Sequence, residues 1–292
     1  MSDYYSSQAS TGIYGALAKL MPGDRLIVDS PQTLAGPVKL AVPMTELLIL
    51  QKLDGGTDVE IEVLADLVKV TARGAGMITN SLLSAVMVTA AGTRCTIDGL
   101  VVTGYNTKNA TGHAGIFGYK AVDLTVINCR ISDGNGNGVR TDGVDTAFIF
   151  NNRVARTHGA SSEGITLGAK HVLCERNRVD RANVTGILVW AGPYEEIDIA
   201  GNTVSNSSQT AAGSHPGIGI SLNRSQITGL RIEDNCCYDD QLSPTQSHAI
   251  AIYGPGSIAH GRVWGNMGWG NQASDPLTLV GAPDLTADCQ AG

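Results

Sequence analysis

Four residues of this chain share one offset within a recurring motif. Tyr119, Asp142, Trp190 and Tyr253 close the segments GIFGY, GVRTD, GILVW and AIAIY, which start at Gly115, Gly138, Gly186 and Ala249. Two places earlier in the same segments stand Phe117, Arg140, Leu188 and Ala251. The chain has only 14 aromatic residues, so three of them at one offset mark that offset as a candidate surface. Aromatic faces beside a carboxylate and an arginine suit sugar rings, which offer an apolar face and a hydroxyl rim. The other reading of this column is packing beneath a long loop.

Acid–base chemistry would draw on Asp142 with Arg140, and on His158 and Glu163 in the neighbouring loop. Hydrolysis of a glycosidic bond needs two carboxyls about 5–9.5 Å apart. Glu163 lies five strand positions from Asp142, or roughly 16 Å at the rise of a strand, so the two make no such pair. Loops before the same motif carry further polar groups, among them Asp133, Arg156, Asp180 and Asp239. A second constellation is Arg130, Arg153 and Arg178, each directly after a recurring position. Stacked on adjacent coils they would repel by about 1 kcal/mol in water. Glu175 and Asp180 nearby, a partner subunit or a phosphate or uronate ligand would offset this.

The composition narrows the classes. The chain has 292 residues, a net charge of −7, 16% charged residues and 42% hydrophobic ones. Low charge with this apolar content suits a packed protein rather than a disordered one. Excess acid argues against a nucleic-acid partner, which needs a basic footprint. There is no run of 18 apolar residues, so no membrane insertion is expected. The polar start, MSDYYSSQAS, is no recognisable signal peptide. No cofactor motif and no metal-ligand spacing occurs, and the six cysteines are read as reduced thiols, two of them, Cys95 and Cys174, in core slots.

The elements that must position these residues come from an internal repeat. The segments AFIFNNRV, VLCERNRV, IDIAGNTV, LRIEDNCC and GRVWGNMG align Asn152, Asn177, Asn202, Asn235 and Asn266, at spacings of 25, 25, 33 and 31. Asp98 and Cys129 are placed in this column in the two earlier copies. The residue before the column is Asn, Gly or Asp in most copies and Arg176 in one. That choice predicts a corner of positive φ. Both motifs alternate with the period of a strand. Short strands repeating every 22–33 residues, joined by Gly/Ser/Asn/Asp loops, predict a parallel β-helix of nine or ten coils. The division is 1–35, with a capping helix through Ile13, Leu17 and Leu20 and a first strand, and 36–292, with regular coils over about 93–280.

On the alternating strands, the corners and the asparagine column, the chain resembles the pectate-lyase-like superfamily of right-handed, single-stranded parallel β-helix proteins. The resemblance implies an all-β solenoid with a short N-terminal capping helix. The superfamily's polygalacturonase branch carries Asn-Thr-Asp, Asp-Asp, His-Gly and Arg-x-Lys. Here His158-Gly159 and His260-Gly261 occur, without Asn-Thr-Asp or Arg-x-Lys. The resemblance therefore implies a glycan-recognising protein of the virion-spike, tailspike-like or adhesive kind. It would bind cell-surface polysaccharide, assemble as a homotrimer and lie outside the cell or on a virion. The alternative is a lyase, glycoside hydrolase or epimerase acting on an acidic polysaccharide. On either reading Asp142, Arg140, His158 and Glu163 are the catalytic candidates. Tyr119, Phe117, Trp190, Tyr253, Arg130, Arg153 and Arg178 are the substrate-binding ones.

Overall fold

The computed structural model describes residues 1–190, 192–273, 277–280 and 284–289. They wind as a right-handed parallel β-helix of about eleven coils, built on three sheets of twelve, ten and ten strands. One coil illustrates the course. Asp123–Ile127 lies in the twelve-stranded sheet, Arg130–Ser132 in a narrow sheet of very short strands, and Asn137–Asp142 in a third sheet, here called the groove sheet. Val144–Phe150 then starts the next coil, pairing in parallel with Asp123–Ile127. The coil count exceeds the expected nine or ten, and the early coils are in register with the later ones. Glu46–Ile49 and Lys69–Ala72 continue the twelve-stranded sheet with no break in register.

The three inner faces meet in one apolar core. Ile116, Val139, Ile165, Ile187, Ile218 and Ile250 form a fully buried column on the groove sheet. Val126, Ile149, Cys174, Ile199 and Ile232 do the same on the twelve-stranded sheet. β-branched side chains fill such columns because they are stiff and fit the pleat. Cys174 fills a slot held elsewhere by Val or Ile. All five described cysteines are free, and burial pushes Cys95 up to about 11 and Cys129 and Cys174 up to about 12. Such thiols behave as small apolar groups. The side chain of Cys289 lies outside the described residues.

The corner between the twelve-stranded and narrow sheets takes two residues in every regular coil. Its first residue is left-handed throughout: Asn128, Asn151, Arg176 and Asp234 have φ between 53° and 57°, and Gly99, Gly201 and Gly265 between 61° and 71°. Arg176 obeys the rule despite its type. Its second residue carries the asparagine ladder. Asn177 Nδ2 donates to Asn202 Oδ1 (3.0 Å) and back to the carbonyl of Ile149 (2.8 Å). Asn177 Oδ1 accepts from the backbone N–H (2.9 Å) and the side-chain amide (3.0 Å) of Asn152. The same pattern runs from Asn152 to Asn266, and all five side chains are buried. Cys129 holds this position one coil earlier, as expected. Asp98 does not: Cys95–Asp98 pairs with Leu124–Ile127, so the column passes through Leu100, two residues on. Asp98 instead bonds Asn128 (2.9 Å) and Arg73 (3.1 Å) on the surface side.

Glycines at the entry to the groove sheet have a steric cause. A Cβ on Gly138, Gly164 or Gly186 would stand 2.2–2.3 Å from a methyl of Val154, Val179 or Val204 in the narrow sheet. None of these three has positive φ. They are small because two sheets meet there, not because the backbone bends unusually.

The N-terminal end is capped by the helix Ile13–Leu17, shorter than the predicted pattern. Ile13, Ala16 and Leu20 are buried in the core, and Leu17 packs against it. A strand that the sequence did not announce, Asp3–Tyr5, pairs with Arg25–Val28 before the helix. The cap covers the exposed end of the solenoid core.

Replacing Asn177 by Ala would strand the Ile149 carbonyl and the Asn152 N–H inside the protein. Each buried group left unmade costs about 1–3 kcal/mol. Urea unfolding is therefore expected to show a loss of about 3 kcal/mol, as a lower midpoint with an unchanged slope. A loss below about 0.5 kcal/mol would mean that the ladder is not a stabilising element.

Candidate functional site

The outward column of the groove sheet is in the expected register. Tyr119 pairs with Asp142, Phe117 with Arg140, Arg140 with Thr166, Thr166 with Leu188, and Ser221 with Tyr253. The two outward columns differ in exposure. Phe117, Thr166 and Leu188 are covered, with Leu188 only 3% exposed. Trp190 is 53% exposed and Tyr119 40%. Loop packing therefore describes the inner column, and an open surface describes the outer one.

Two adjoining cavities of about 450 and 410 Å³ lie on this face and share Arg140 and Trp190. The first adds Asp142, Gly168, Lys170 and Tyr194, and the second adds Asn137, Glu163, Thr166 and Leu188 with Thr111, Gly112 and Ser161 of two loops. Together they make a groove across the sheet. Four of the sequence candidates meet here: Arg140, Asp142, Glu163 and Trp190.

Arg140 and Asp142 form a two-pronged pair. Arg140 Nε donates to both carboxylate oxygens (3.0 and 2.9 Å), and Nη2 donates to Oδ2 (2.7 Å). Residues two apart on a strand face the same way, so this pair follows from the pleat. Arg140 also lies over the Phe117 ring at 5.8 Å. Lys170 is neutralised by Asp145 at 3.0 Å. The groove is polar but close to internally neutral.

Glu163 sits half-buried at the other end. Its backbone N–H donates to Asn137 Oδ1 (3.1 Å), and Asn137 Nδ2 donates to Thr166 Oγ1 (2.8 Å). Thr166 Oγ1 in turn donates to Glu163 Oε2 (3.4 Å). Burial pushes the Glu163 carboxyl above its ordinary range, against the opposing charge of Arg140. Tyr253 is held up to about 12, chiefly by burial and further by the charge of Glu163.

Trp190 is anchored from below. The Tyr194 hydroxyl donates to the Trp190 carbonyl, and the Tyr194 ring packs on Gly192, where a Cβ would come within 2.6 Å. Sequence reading missed Tyr194, Lys170 and Asn137. Tyr194 and Lys170 start strands of the next sheet, and only the fold returns them to this face.

The remaining candidates lie elsewhere. His158 is exposed on a loop and does not line the groove. Asp133 is held by Arg156 through two bonds of 2.6 and 2.7 Å. Asp239 is buried and accepts from the backbone of Gln241, Thr245 and Gln246, so it braces its own loop. Arg130, Arg153 and Arg178 are stacked as expected, but on the narrow sheet, a different face from the groove.

The raised Glu163 carboxyl carries a pH signature. The folded chain holds this proton more tightly than the unfolded chain does. Glu163 therefore lowers stability as pH rises above its unfolded value of about 4.3 and through its folded value. Glu163→Gln keeps the shape without the charge. Its melting temperature should match the wild type in acid and exceed it at neutral pH. Parallel curves across that range would mean that the carboxyl titrates normally.

Comparison with solved structures places this geometry in a wider group. The Dettilon tailspike protein matches at a TM-score of 0.68 and 14% identity, over 94% of this chain and 64% of the tailspike. This chain thus spans less than two thirds of that protein. The endo-xylogalacturonan hydrolase of Aspergillus tubingensis matches at 0.68 and 13%, over 99% of this chain and 94% of the hydrolase. An alginate lyase from Paenibacillus matches at 0.60 and 15%, over 97% and 98%. At these identities the likeness is one of fold. No curated protein sequence matches the chain. The model of the right handed beta helix region matches residues 77–228, just over half of the sequence. With its strands in the register and corners described above, the chain belongs to the right-handed β-helix family.

Proposed function

We propose that the groove sheet is a glycan-binding face and that the protein recognises a cell-surface polysaccharide as a spike-like or adhesive module. The observation that carries this reading is the Trp190 ring. It is large, open to solvent, carried on a backbone whose carbonyl Tyr194 holds, and flanked by Arg140–Asp142. An open aromatic face with hydrogen-bonding groups around it suits a sugar ring. The near-neutral groove favours hydroxyl-rich rings over strongly anionic ones. The tailspike and the polysaccharide-acting enzymes of similar fold agree with a glycan as ligand.

One observation favours catalysis as a second reading. Glu163 is a carboxyl held above its ordinary range at the edge of the same groove, as general acids are. Asp142 supplies no obvious partner for it. Both its oxygens are engaged by Arg140, and it lies about five strand positions away, roughly 16 Å. This geometry supports binding more than hydrolysis.

A glycan array should return ligands for the wild type, and Trp190→Ala should weaken the best of them at least about tenfold, or about 1.4 kcal/mol. Equal binding by the variant would remove the groove from the account. Turnover of a bound glycan that disappears in Glu163→Gln while binding persists would establish the enzymatic reading. The spike version also expects a trimer in sedimentation, and a stable monomer would leave only an adhesive module.

A further inference from the structure

Among the described residues, seven of the thirteen arginines contact a carboxylate: Arg25, Arg73, Arg94, Arg140, Arg156, Arg231 and Arg262. Four of the others, Arg130, Arg153, Arg176 and Arg178, line a single cavity of about 400 Å³. The rest of its lining is Asn128, Cys129, Asn151 and Asn152, so no acidic residue faces it. Among the described residues none of these four guanidiniums has a carboxylate within 4 Å. Of the acids that stand next to them in sequence, Asp180 accepts from Ser205 (2.9 Å) and Asn206 (3.1 Å), and Glu175 lies on the twelve-stranded sheet, where its charge reaches Arg231.

The fold forces this cluster together. Arg130, Arg153 and Arg178 are direct partners on successive strands, so their Cα atoms repeat at about the 4.8 Å of strand spacing. Their backbone N–H groups are fixed by Leu100, Cys129 and Asn152, at 2.8 Å each. Arg176 joins them from the left-handed corner, lying over the Phe150 ring at 5.6 Å. Asn151 Nδ2 donates to Asn128 Oδ1 (2.8 Å) along one wall, which leaves amide edges for hydroxyl groups. Like charges at this spacing repel, and no internal partner offsets them.

We propose that this ladder is a second binding site, separate from the groove, for an extended acidic polysaccharide of the uronate class. A chain with one carboxylate per sugar presents anions in single file, as the ladder presents forks. Each guanidinium accepts a carboxylate in two-pronged fashion. A nucleic acid fits less well. Among the described residues the cavity lining holds no aromatic ring on which a base could stack, and the nearby Phe150 ring already lies under Arg176.

The test uses polygalacturonate oligomers in isothermal titration with the full chain, at low and high salt. The wild type should bind, more weakly as salt rises. Arg130→Gln/Arg153→Gln/Arg178→Gln should lose at least about tenfold in affinity, which is about 1.4 kcal/mol, while melting no lower than the wild type. Arg153→Lys should lose part of the affinity, because charge remains but the fork does not. Trp190→Ala should retain polygalacturonate binding, which separates this site from the groove. An unchanged triple variant, or a wild type that does not bind, overturns the proposal. Duplex DNA bound as tightly, and lost in the same triple variant, reassigns the ladder to nucleic acid and also overturns it.

Discussion

The structure rests on one constraint: every coil must turn the same corner in the same place. Parallel strands give no hairpin to fix their register, so a neighbouring coil must fix it. The buried amide ladder does this. Each asparagine satisfies a strand carbonyl and a corner N–H that would otherwise be stranded, and it passes its oxygen to the coil before. A slip of one residue would put an apolar side chain into the amide column and an amide into the core. The left-handed residue before each asparagine supplies the geometry, and even Arg176 accepts it. Once the corners are stacked, the inner columns, the outward columns and the arginine ladder all follow.

This constraint explains what could be read from the chain. From Cys129 onward the columns, the core slots and the stacking of Tyr119, Asp142, Trp190 and Tyr253 were legible, because one motif recurs with little change. Asp98 was placed two residues off, since it resembles asparagine in type but is buried outside the apolar core, bonded to Asn128 and Arg73. The coils before residue 93 carry no asparagine in the ladder column, which holds Leu50 and Arg73 there, so nothing in sequence marked their corners. The glycine column was visible, but its cause was not: the clash with Val154, Val179 and Val204 lies between residues about 16 apart on different sheets. The site was half legible. Pleat and period delivered the Arg140–Asp142 pair. The state of Glu163 depends on burial by loops, and Tyr194 reaches Trp190 only across a turn.

The two charged surfaces differ in a way composition alone hides. In the groove, each cation has its own anion, so a neutral ligand enters without leaving a charge unpaired. On the narrow sheet, cations stack over three coils with no carboxylate partner among the described residues. An acidic protein thus carries a local concentration of positive charge, fixed by a rigid ladder rather than by a flexible tail. Strand spacing, not side-chain reach, sets its repeat.

The loops show where this architecture tolerates change. The ladder corner keeps two residues in each regular coil, whereas the connection from the narrow sheet to the groove sheet grows from Asp133–Gly136 in one coil to Asn206–Gly217 in another. Variation in coil length is therefore concentrated beside the groove and absent from the clamp that sets the phase. Such a scaffold works like a rack with interchangeable fittings. Rebuilding one loop re-tailors what the groove accepts and leaves every other coil at its station.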